Sequence, residues 1–440
     1  MSSSKKLATY FDPDYGSSRW AFGAEILIWN CSLALALLFF LSVRGWLNGV
    51  LFVLLGLAVY GLLRSRNGDA RAALQAPWAR LALIAMLSPF LAILLGQAFR
   101  GDIVWRAYDG PLRIAGAGII FVHLLSRPIN ITRGVEWAAP ISVIFLGLAI
   151  LLNPTALNAW GGRFATYFVD PLTLGQFATL LGFLSLLLID ITGKDAAAKR
   201  ILKYSAFAVA LWISIGSGAR SAWLAMPFLF ILLIAFPRKS DHPLKVLPAL
   251  LIFVVAGAAM YHLSPVVHSR IDEALSDVAQ YFGGGNRDTS SGLRLSLWRS
   301  AWHLFLESPL RGYGDGNFPP ITSIPAIAQF HTPLLEFMLT RTGAHNEFLQ
   351  NMLRSGIFGL ISSVLMFGVP LAIFLRAARS TVEAANSAGR IGIFYIVAIF
   401  IFGLNTECFN LKFTASFYGL TIAILAAQAL RINGNEHARA

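Results

Sequence analysis

The stretch SAWLAMPFLFILLIAFPRKSDHPLKVLPALLIFVVAGAAMYHL, residues 221–263, decides the fold class. It contains two apolar runs, 221–236 and 246–263, and neither run has an Asp, Glu, Lys or Arg. The short segment between them holds Arg238, Lys239 and Lys245. Because apolar helices of about 17 to 25 residues cross the hydrocarbon layer of a bilayer, the pattern predicts two membrane spans joined by a basic loop.

The composition extends this interpretation to the whole chain of 440 residues. Hydrophobic residues make up 56% of the sequence, charged residues only 13%, and the mean hydropathy is +0.65. A soluble protein carries about 25% charged residues, so the bulk of this chain faces lipid. The composition therefore excludes a soluble enzyme and a disordered protein. The only cysteines, Cys31 and Cys408, exclude a disulfide scaffold.

Twelve apolar runs of this kind occur along the chain. They lie near 24–43, 47–63, 81–99, 112–126, 137–153, 172–190, 203–218, 221–236, 246–263, 355–375, 391–406 and 413–430. The fourth run is the weakest, because it is short and contains His123. The sequence thus predicts an all-α integral membrane protein with about 12 transmembrane helices.

The basic residues predict the orientation of these spans. With the N-terminal tail in the cytoplasm, inside segments hold 21 Lys and Arg and the short outside loops hold seven. This bias follows the positive-inside rule and places both termini in the cytoplasm. The net charge of +13 is therefore explained by membrane topology, without nucleic acid as a partner. The first span begins too late, and has too many successors, to be a cleaved signal.

The long outside segment, residues 264–354, is called the helical subdomain below. Ser264-Pro265 predicts the start of a helix that ends at Gly283, and Ser290-Ser291 starts a second helix that ends at Ser308-Pro309. The predicted domains are therefore 1–263 with spans 1–9, the subdomain 264–354, and 355–440 with spans 10–12. All seven basic residues of the subdomain are Arg, which favours anionic ligands, although its eight acids offer an alternative set of partners.

Two arginines stand out on the outer side. Arg220 follows the Gly216-Ser217-Gly218-Ala219 turn between two spans, where a cation opposes the positive-inside bias and needs a partner. The alternative is an arginine that snorkels to the headgroups. Arg294, in Ser291-Gly292-Leu293-Arg294, is expected in the first turn of a helix, where an anion would offset the unfavourable dipole. Its alternative is a surface arginine paired with an acid.

His345-Asn346 forms the third candidate feature, at the start of the helix that runs into span ten. A helix N-terminus lowers the pKa of a histidine, which keeps the ring neutral and able to accept a proton. The alternative is a capping histidine without chemistry. No His or Cys pair on the outer side has metal-ligand spacing, and the Asp12-Pro13-Asp14 string lies on the cytoplasmic side. We therefore expect a site without a metal.

A transporter is the alternative of a different class. Ion-coupled transporters usually carry titratable groups in the middle of the membrane. By the boundaries above, only His123 lies deep within a span, the two cysteines apart. This absence disfavours a transporter of polyprenyl-linked glycans but leaves it as an alternative.

The order of these features resembles the O-antigen ligase and polymerase superfamily. The resemblance rests on Ser217-Gly218-Ala219-Arg220, on Ser291 to Arg294 with Trp298 downstream, on Ser308-Pro309-Leu310-Arg311-Gly312-Tyr313-Gly314, and on His345-Asn346. The number of spans and the large loop between spans nine and ten are similar to the lipopolysaccharide O-antigen ligase branch. The polymerase and protein O-oligosaccharyltransferase branches share this core, so both stay open as alternatives.

The resemblance implies a GT-C-like glycosyltransferase in the bacterial inner membrane, with its active site at the periplasmic face. It would move O-antigen glycan from undecaprenyl pyrophosphate to a sugar hydroxyl of lipid A-core oligosaccharide, with inversion and without metal or cofactor. Membrane lipids would be its other partners. The implied roles are a base for His345, pyrophosphate binding for Arg220 and Arg294, and substrate contacts for Arg311, Asn346 and Trp298.

Overall fold

The computed structural model describes residues 19–64, 68–152, 160–192, 195–236, 246–315 and 318–431. Within these ranges the chain forms helices and turns, and no β-strand. The helices, α1 to α17 in chain order, are Arg19–Phe39, Trp46–Arg64, Gly68–Leu74, Pro77–Arg100, Asp109–Leu124, Thr132–Leu152, Pro171–Thr192, Ala197–Ser217, Arg220–Ala235, Val246–Leu263, Pro265–Phe282, Ser290–Glu307, Pro325–Ala328, Pro333–Thr342, Glu347–Ala377, Glu383–Gly403 and Lys412–Leu430.

Each of the twelve predicted spans coincides with one of these helices. In the described part of the chain, seven helices are long and apolar enough to cross a membrane: α2, α4, α6, α7, α15, α16 and α17. Shorter apolar helices cover Glu25–Phe39, Arg220–Ala235 and Val254–Leu263. The all-α membrane class is thus confirmed, while the count of twelve and the GT-C-like arrangement stay predictions. Both chain ends and the Asp12-Pro13-Asp14 string lie outside the described residues.

Helix α17 lies at the centre of the bundle, where it packs against α2, α5, α15 and α16. Its close approach to α5 depends on Gly419, because a Cβ there would lie 3.0 Å from Ile114 Cα and 3.1 Å from Ala117 Cβ. The ring of Phe417 stacks on Phe40, the residue after α1, with the centroids 4.5 Å apart. Lipid tails are as apolar as these side chains, so close packing of this kind is what holds membrane helices together.

A buried ion-pair network joins α6, α7 and α8 at the end of the bundle opposite the helical subdomain. The side chain of Lys203 is fully buried, and its Nζ lies 2.8 Å from Glu136 Oε1 and 2.6 Å from Asp195 Oδ2. It also donates to the Leu188 carbonyl at 3.0 Å. Every donor of the ammonium therefore has an acceptor, which is the condition under which a buried charge is tolerated.

The helical subdomain has a hydrophobic core of its own. Leu297, Ala301 and Leu304 of α12 pack with residues of α13 and α14 and with Leu353 of α15. The two helices predicted for its first half are confirmed as α11, which Ser264 caps, and α12. The cap of α12 is Thr289, one residue earlier than the sequence suggested.

Helix α15 contains a kink that receives this subdomain. Ser355 and Gly356 have non-helical backbone angles, with φ +58° at Gly356. The kink lies at the predicted 354/355 domain boundary, which itself stays a prediction. Backbone groups near the kink pair with the turn at 308–314 through three hydrogen bonds: Tyr313 N–H to Leu353 O at 2.6 Å, Gly314 N–H to Arg354 O at 3.1 Å, and Ile357 N–H to Pro309 O at 2.7 Å.

Two glycines allow this close contact between the turn and the kink. A Cβ on Gly356 would lie 2.4 Å from Pro309 O, and a Cβ on Gly312 would lie 2.7 Å from Gly356 N. Arg100, at the end of α4, donates from one nitrogen to the carbonyls of Arg311 at 2.6 Å and Arg354 at 2.9 Å. The 308–314 motif therefore fastens the helical subdomain to the membrane bundle.

Replacing Gly356 with Ala tests this attachment. We expect Gly356→Ala to lower the free energy of unfolding by about 2–5 kcal/mol, because it adds left-handed strain and an overlap with Pro309 O. Gly368→Ala in the same helix is the matched control, since a Cβ there has no neighbour within 4 Å. The measurement is thermal unfolding of the purified protein in detergent. Equal midpoints for the two variants would contradict the proposed attachment.

Candidate active site

Arg220 reaches from the bundle to the helical subdomain. It is the first residue of α9 and follows Gly218, which ends α8 with φ +60°. One guanidinium nitrogen lies 3.5 Å from the Arg270 carbonyl and from Ser291 Oγ, and 3.9 Å from Asp277 Oδ2. The partner that the sequence required for this arginine is therefore Asp277 of α11.

Arg163 and Arg270 join Arg220 at the Gly218 turn, and the sequence analysis assigned no site role to either. A Cβ on Gly218 would lie 3.2 Å from Arg270 Nε and 3.6 Å from Arg163 Nε, so both side chains pack on this glycine. Arg163 Nε donates to the Ser217 carbonyl at 2.7 Å. The signal that could have found Arg163 is the one that found Arg220, namely an arginine in a short outside loop.

Arg294 completes a group of four, called the arginine cluster below: Arg163, Arg220, Arg270 and Arg294. It is the fifth residue of α12, just beyond the first turn in which the sequence placed it. Burial, followed by the positive charges of Arg220 and Arg163, holds its pKa below the usual value. The four guanidinium groups therefore lie close enough to repel one another.

The acids around the arginine cluster leave one cation unmatched. Asp277 lies beside Arg220, Glu273 Oε2 lies 2.9 Å from Arg270 NH1, and the negative charge of Asp170 acts on Arg163. The charge of Asp277 also acts on Arg294, but Arg294 has no hydrogen bond or ion pair of its own with any residue that the structure describes. A half-buried guanidinium without a partner is a binding group for an anion.

His345 lies on a strained turn at the start of α15. Within the described residues it is the one non-glycine with positive φ, at +49°, a conformation that costs about 1–3 kcal/mol. Its Nε2 lies 3.1 Å from Thr342 Oγ1. The turn is held by Asn346, whose Oδ1 accepts from Phe348 N at 3.0 Å and whose Nδ2 donates to the Leu404 carbonyl at 3.2 Å.

The imidazole of His345 is tuned toward its neutral form. Burial lowers its pKa below the usual value, and the positive charge of Arg294 lowers it further. The sequence predicted this direction, but attributed it to the helix N-terminus. The causes are instead burial and, second, the charge of Arg294, which couples the histidine electrostatically to the candidate anion site.

Glu407 supports the same turn, and the sequence analysis did not single it out. A Cβ on Gly343, which has φ +78°, would lie only 2.7 Å from Glu407 Oε1, so the carboxylate packs directly on this glycine. Burial, with a contribution from the charge of Glu347, raises the pKa of Glu407 to about 7 against the opposing effect of Arg354. The loop that carries it is anchored by Glu347 Oε2, which accepts from the backbone N–H groups of Cys408 and Phe409.

The other three predicted site residues have structural contacts. Trp298 packs on the core of the helical subdomain. The Arg311 side chain is exposed, and its carbonyl accepts from Arg100. Asn346 caps α15. Contact of these three residues with substrate therefore stays a prediction.

Comparisons with known proteins bear on the family of the chain. Residues 205–364, which contain three members of the arginine cluster and His345, match the family model described as O-antigen ligase. Over 328 residues the chain is 24% identical to an uncharacterized protein of Haemophilus influenzae, an alignment that covers 73% of this chain and 79% of that protein. No group of three or more potential metal ligands occurs in the described part. The family match supports placing this chain in the O-antigen ligase and polymerase superfamily.

Proposed function

We propose that this protein is a glycosyltransferase of the O-antigen ligase type. It moves glycan from undecaprenyl pyrophosphate to a sugar hydroxyl of lipid A-core oligosaccharide, at the periplasmic face of the inner membrane, with both termini in the cytoplasm. The observation that carries the proposal is that a surplus cation, Arg294, lies beside a histidine, His345, whose pKa is lowered by burial and by the charge of Arg294. Arg294 can stabilise the negative charge that develops on the leaving phosphate, and His345 can take the proton of the acceptor hydroxyl.

The arginine cluster serves the leaving group. Breakage of the bond from sugar C1 to pyrophosphate leaves the electron pair, and a new negative charge, on the phosphate oxygen. Fixed cations directed at that oxygen stabilise the transition state. Arg220 begins an apolar helix, so a pyrophosphate bound there keeps its polyprenyl tail in lipid. Four arginines supply this charge without a metal ion.

His345 serves the acceptor. The neutral imidazole takes the proton of the sugar hydroxyl while the hydroxyl oxygen forms its bond to C1. Attack on the face opposite the pyrophosphate inverts the configuration at C1. The imidazolium that forms lies in the field of Arg294, which favours loss of the proton before the next cycle.

A reconstituted reaction tests the proposal. Purified protein is mixed with undecaprenyl-pyrophosphate glycan and lipid A-core in detergent with EDTA, and the products are separated on a gel. We expect glycan joined to lipid A-core. Elongated glycan on the prenyl carrier would identify a polymerase. If neither product forms, the next tests are a protein acceptor, for the protein O-oligosaccharyltransferase alternative, and transport. Activity that is lost with EDTA and restored by magnesium would contradict the metal-free site.

Arginine variants test the anion site. We expect Arg294→Ala and Arg163→Ala each to weaken binding of undecaprenyl pyrophosphate about 10- to 100-fold, the effect of losing a charged hydrogen bond. Arg341→Ala, which removes an exposed arginine of α14, is the control. Binding is measured by titrating the purified variants. Unchanged affinity in both cluster variants would remove the arginine cluster from donor binding.

Removal of the imidazole tests the base. We expect His345→Ala to lower the transfer rate about 10²- to 10⁴-fold, the usual contribution of a positioned base, while donor affinity and thermal stability stay within a small margin of wild type. His303→Ala, in the helical subdomain, is the matched control. Transfer is measured at saturating donor and acceptor. An active His345→Ala protein would exclude His345 as the base.

The pH profile tests the coupling between Arg294 and His345. Because the pKa of His345 is lowered, the base is neutral at pH 7 and the rate should fall only at a pH below the usual imidazole value of about 6.5. Arg294→Gln removes the positive charge and should move this acid limb to higher pH, whereas Arg294→Lys should move it less. The measurement is kcat against pH. An acid limb that does not move in Arg294→Gln would contradict the coupling.

A further inference from the structure

A polar cleft in the helical subdomain lies apart from the arginine cluster. It has a volume of about 310 Å³ and is formed by two segments, 284–287 and 329–332. This volume falls within the range of about 300–1,000 Å³ that small-molecule sites occupy. The lining is mostly polar or glycine, in contrast to the hydrophobic core beneath it.

The two walls of the cleft are tied together by the protein itself. Thr332 Oγ1 donates to Asp288 Oδ1 at 2.6 Å, and Arg287 NH1 lies 3.4 Å from the Gln329 carbonyl. His331 is oriented by Glu336, with Nε2 and Oε2 2.9 Å apart. The cleft is therefore largely preformed, which reduces the entropy lost when a ligand binds.

The charges of this cleft indicate a neutral ligand. Arg287 lines the cleft, and Arg299 lies 4.6 Å from the ring of Phe330 in its wall. The carboxylates of Asp288 and Glu336 balance these two cations. An anion would find no surplus positive charge here, unlike at the arginine cluster. Amide, guanidinium, hydroxyl and carboxylate groups together match a ligand whose hydroxyls both donate and accept hydrogen bonds.

The position of the cleft connects it with the proposed transfer site. Asp288, which is bonded to Thr332 of the cleft wall, is three residues before Ser291, the residue that Arg220 contacts from the bundle. Three residues span at most about 11 Å. A saccharide whose reacting end lies at the arginine cluster therefore has the cleft within reach of its next sugar units.

We infer that this cleft is a carbohydrate subsite, which takes neutral, hydroxyl-rich sugar units of a glycan substrate. The identity of that substrate rests on the proposed function. Two sources share this chemistry: the glycan of the donor and the oligosaccharide of the acceptor. The cleft would hold either one by hydrogen bonds from Arg287 and Gln329, while the reacting end stays at the transfer site.

Direct binding tests the inference. The probes are two oligosaccharides released from lipopolysaccharide of the source bacterium, one from the O-antigen and one from the lipid A-core, each without pyrophosphate or lipid. They are titrated into full-length protein in detergent and followed by saturation-transfer NMR. We expect the double variant Arg287→Ala with Gln329→Ala to bind one of the two about tenfold more weakly than wild type, the effect of losing about two hydrogen bonds.

The controls make each outcome decisive. Thr340→Ala, an exposed hydroxyl of α14, should bind both probes as wild type does. The probe whose binding is lost in the double variant identifies the source of the glycan. If the double variant binds both probes as tightly as wild type does, or if wild type binds neither probe, the subsite is overturned. Loss of binding in the double variant, combined with no transfer by wild type, supports the subsite and contradicts the proposed function instead.

Discussion

The contact between the 308–314 turn and the kink of α15 is the interaction on which the rest of the site depends. The candidate groups come from separate parts of the chain: Arg220 from the bundle, Arg294 from the helical subdomain, and His345 from the turn before α15. They come together because α15 opens at Gly356 and accepts backbone pairing from the turn.

The outer end of the molecule has two surfaces that differ in their balance of charge, namely the arginine cluster and the cleft at Arg287. Three acids, Asp277, Glu273 and Asp170, lie beside or act on members of the arginine cluster and offset part of the repulsion among the four cations. Arg294 also feels the charge of Asp277, but it is the member without a hydrogen bond or ion pair in the described residues, and it is the charge that acts on His345. The cluster is thus nearly neutral as a structure, yet it has one cation available to an incoming phosphate. The cleft at Arg287 has no such surplus.

The sequence predicted those features that depend on local pattern. Membrane helices, the two helices at the start of the helical subdomain, and Arg220, Arg294 and His345 as candidates all follow from apolar length, capping residues or a charge in an unusual place. What it could not predict depends on pairing between distant segments. Nothing local to Arg163 shows that it packs on Gly218, and nothing local to Gly312 shows that its role is to contact Gly356. The sequence likewise placed Lys203 at the end of a predicted span. Its ion pair with Glu136 could not be predicted, because Glu136 lies in another helix.

The strain at His345 is consistent with a role that demands a fixed geometry. A left-handed histidine costs about 1–3 kcal/mol, and a capping residue alone would not require it, since Asn346 already satisfies the first N–H groups of α15. The turn is nevertheless held from both sides, by the Asn346 bond to Leu404 and by Glu407 packed on Gly343. These contacts fix the ring in the field of Arg294. A histidine that only covered the helix end would relax to an ordinary conformation, so the retained strain favours a base that must meet its substrate in one orientation.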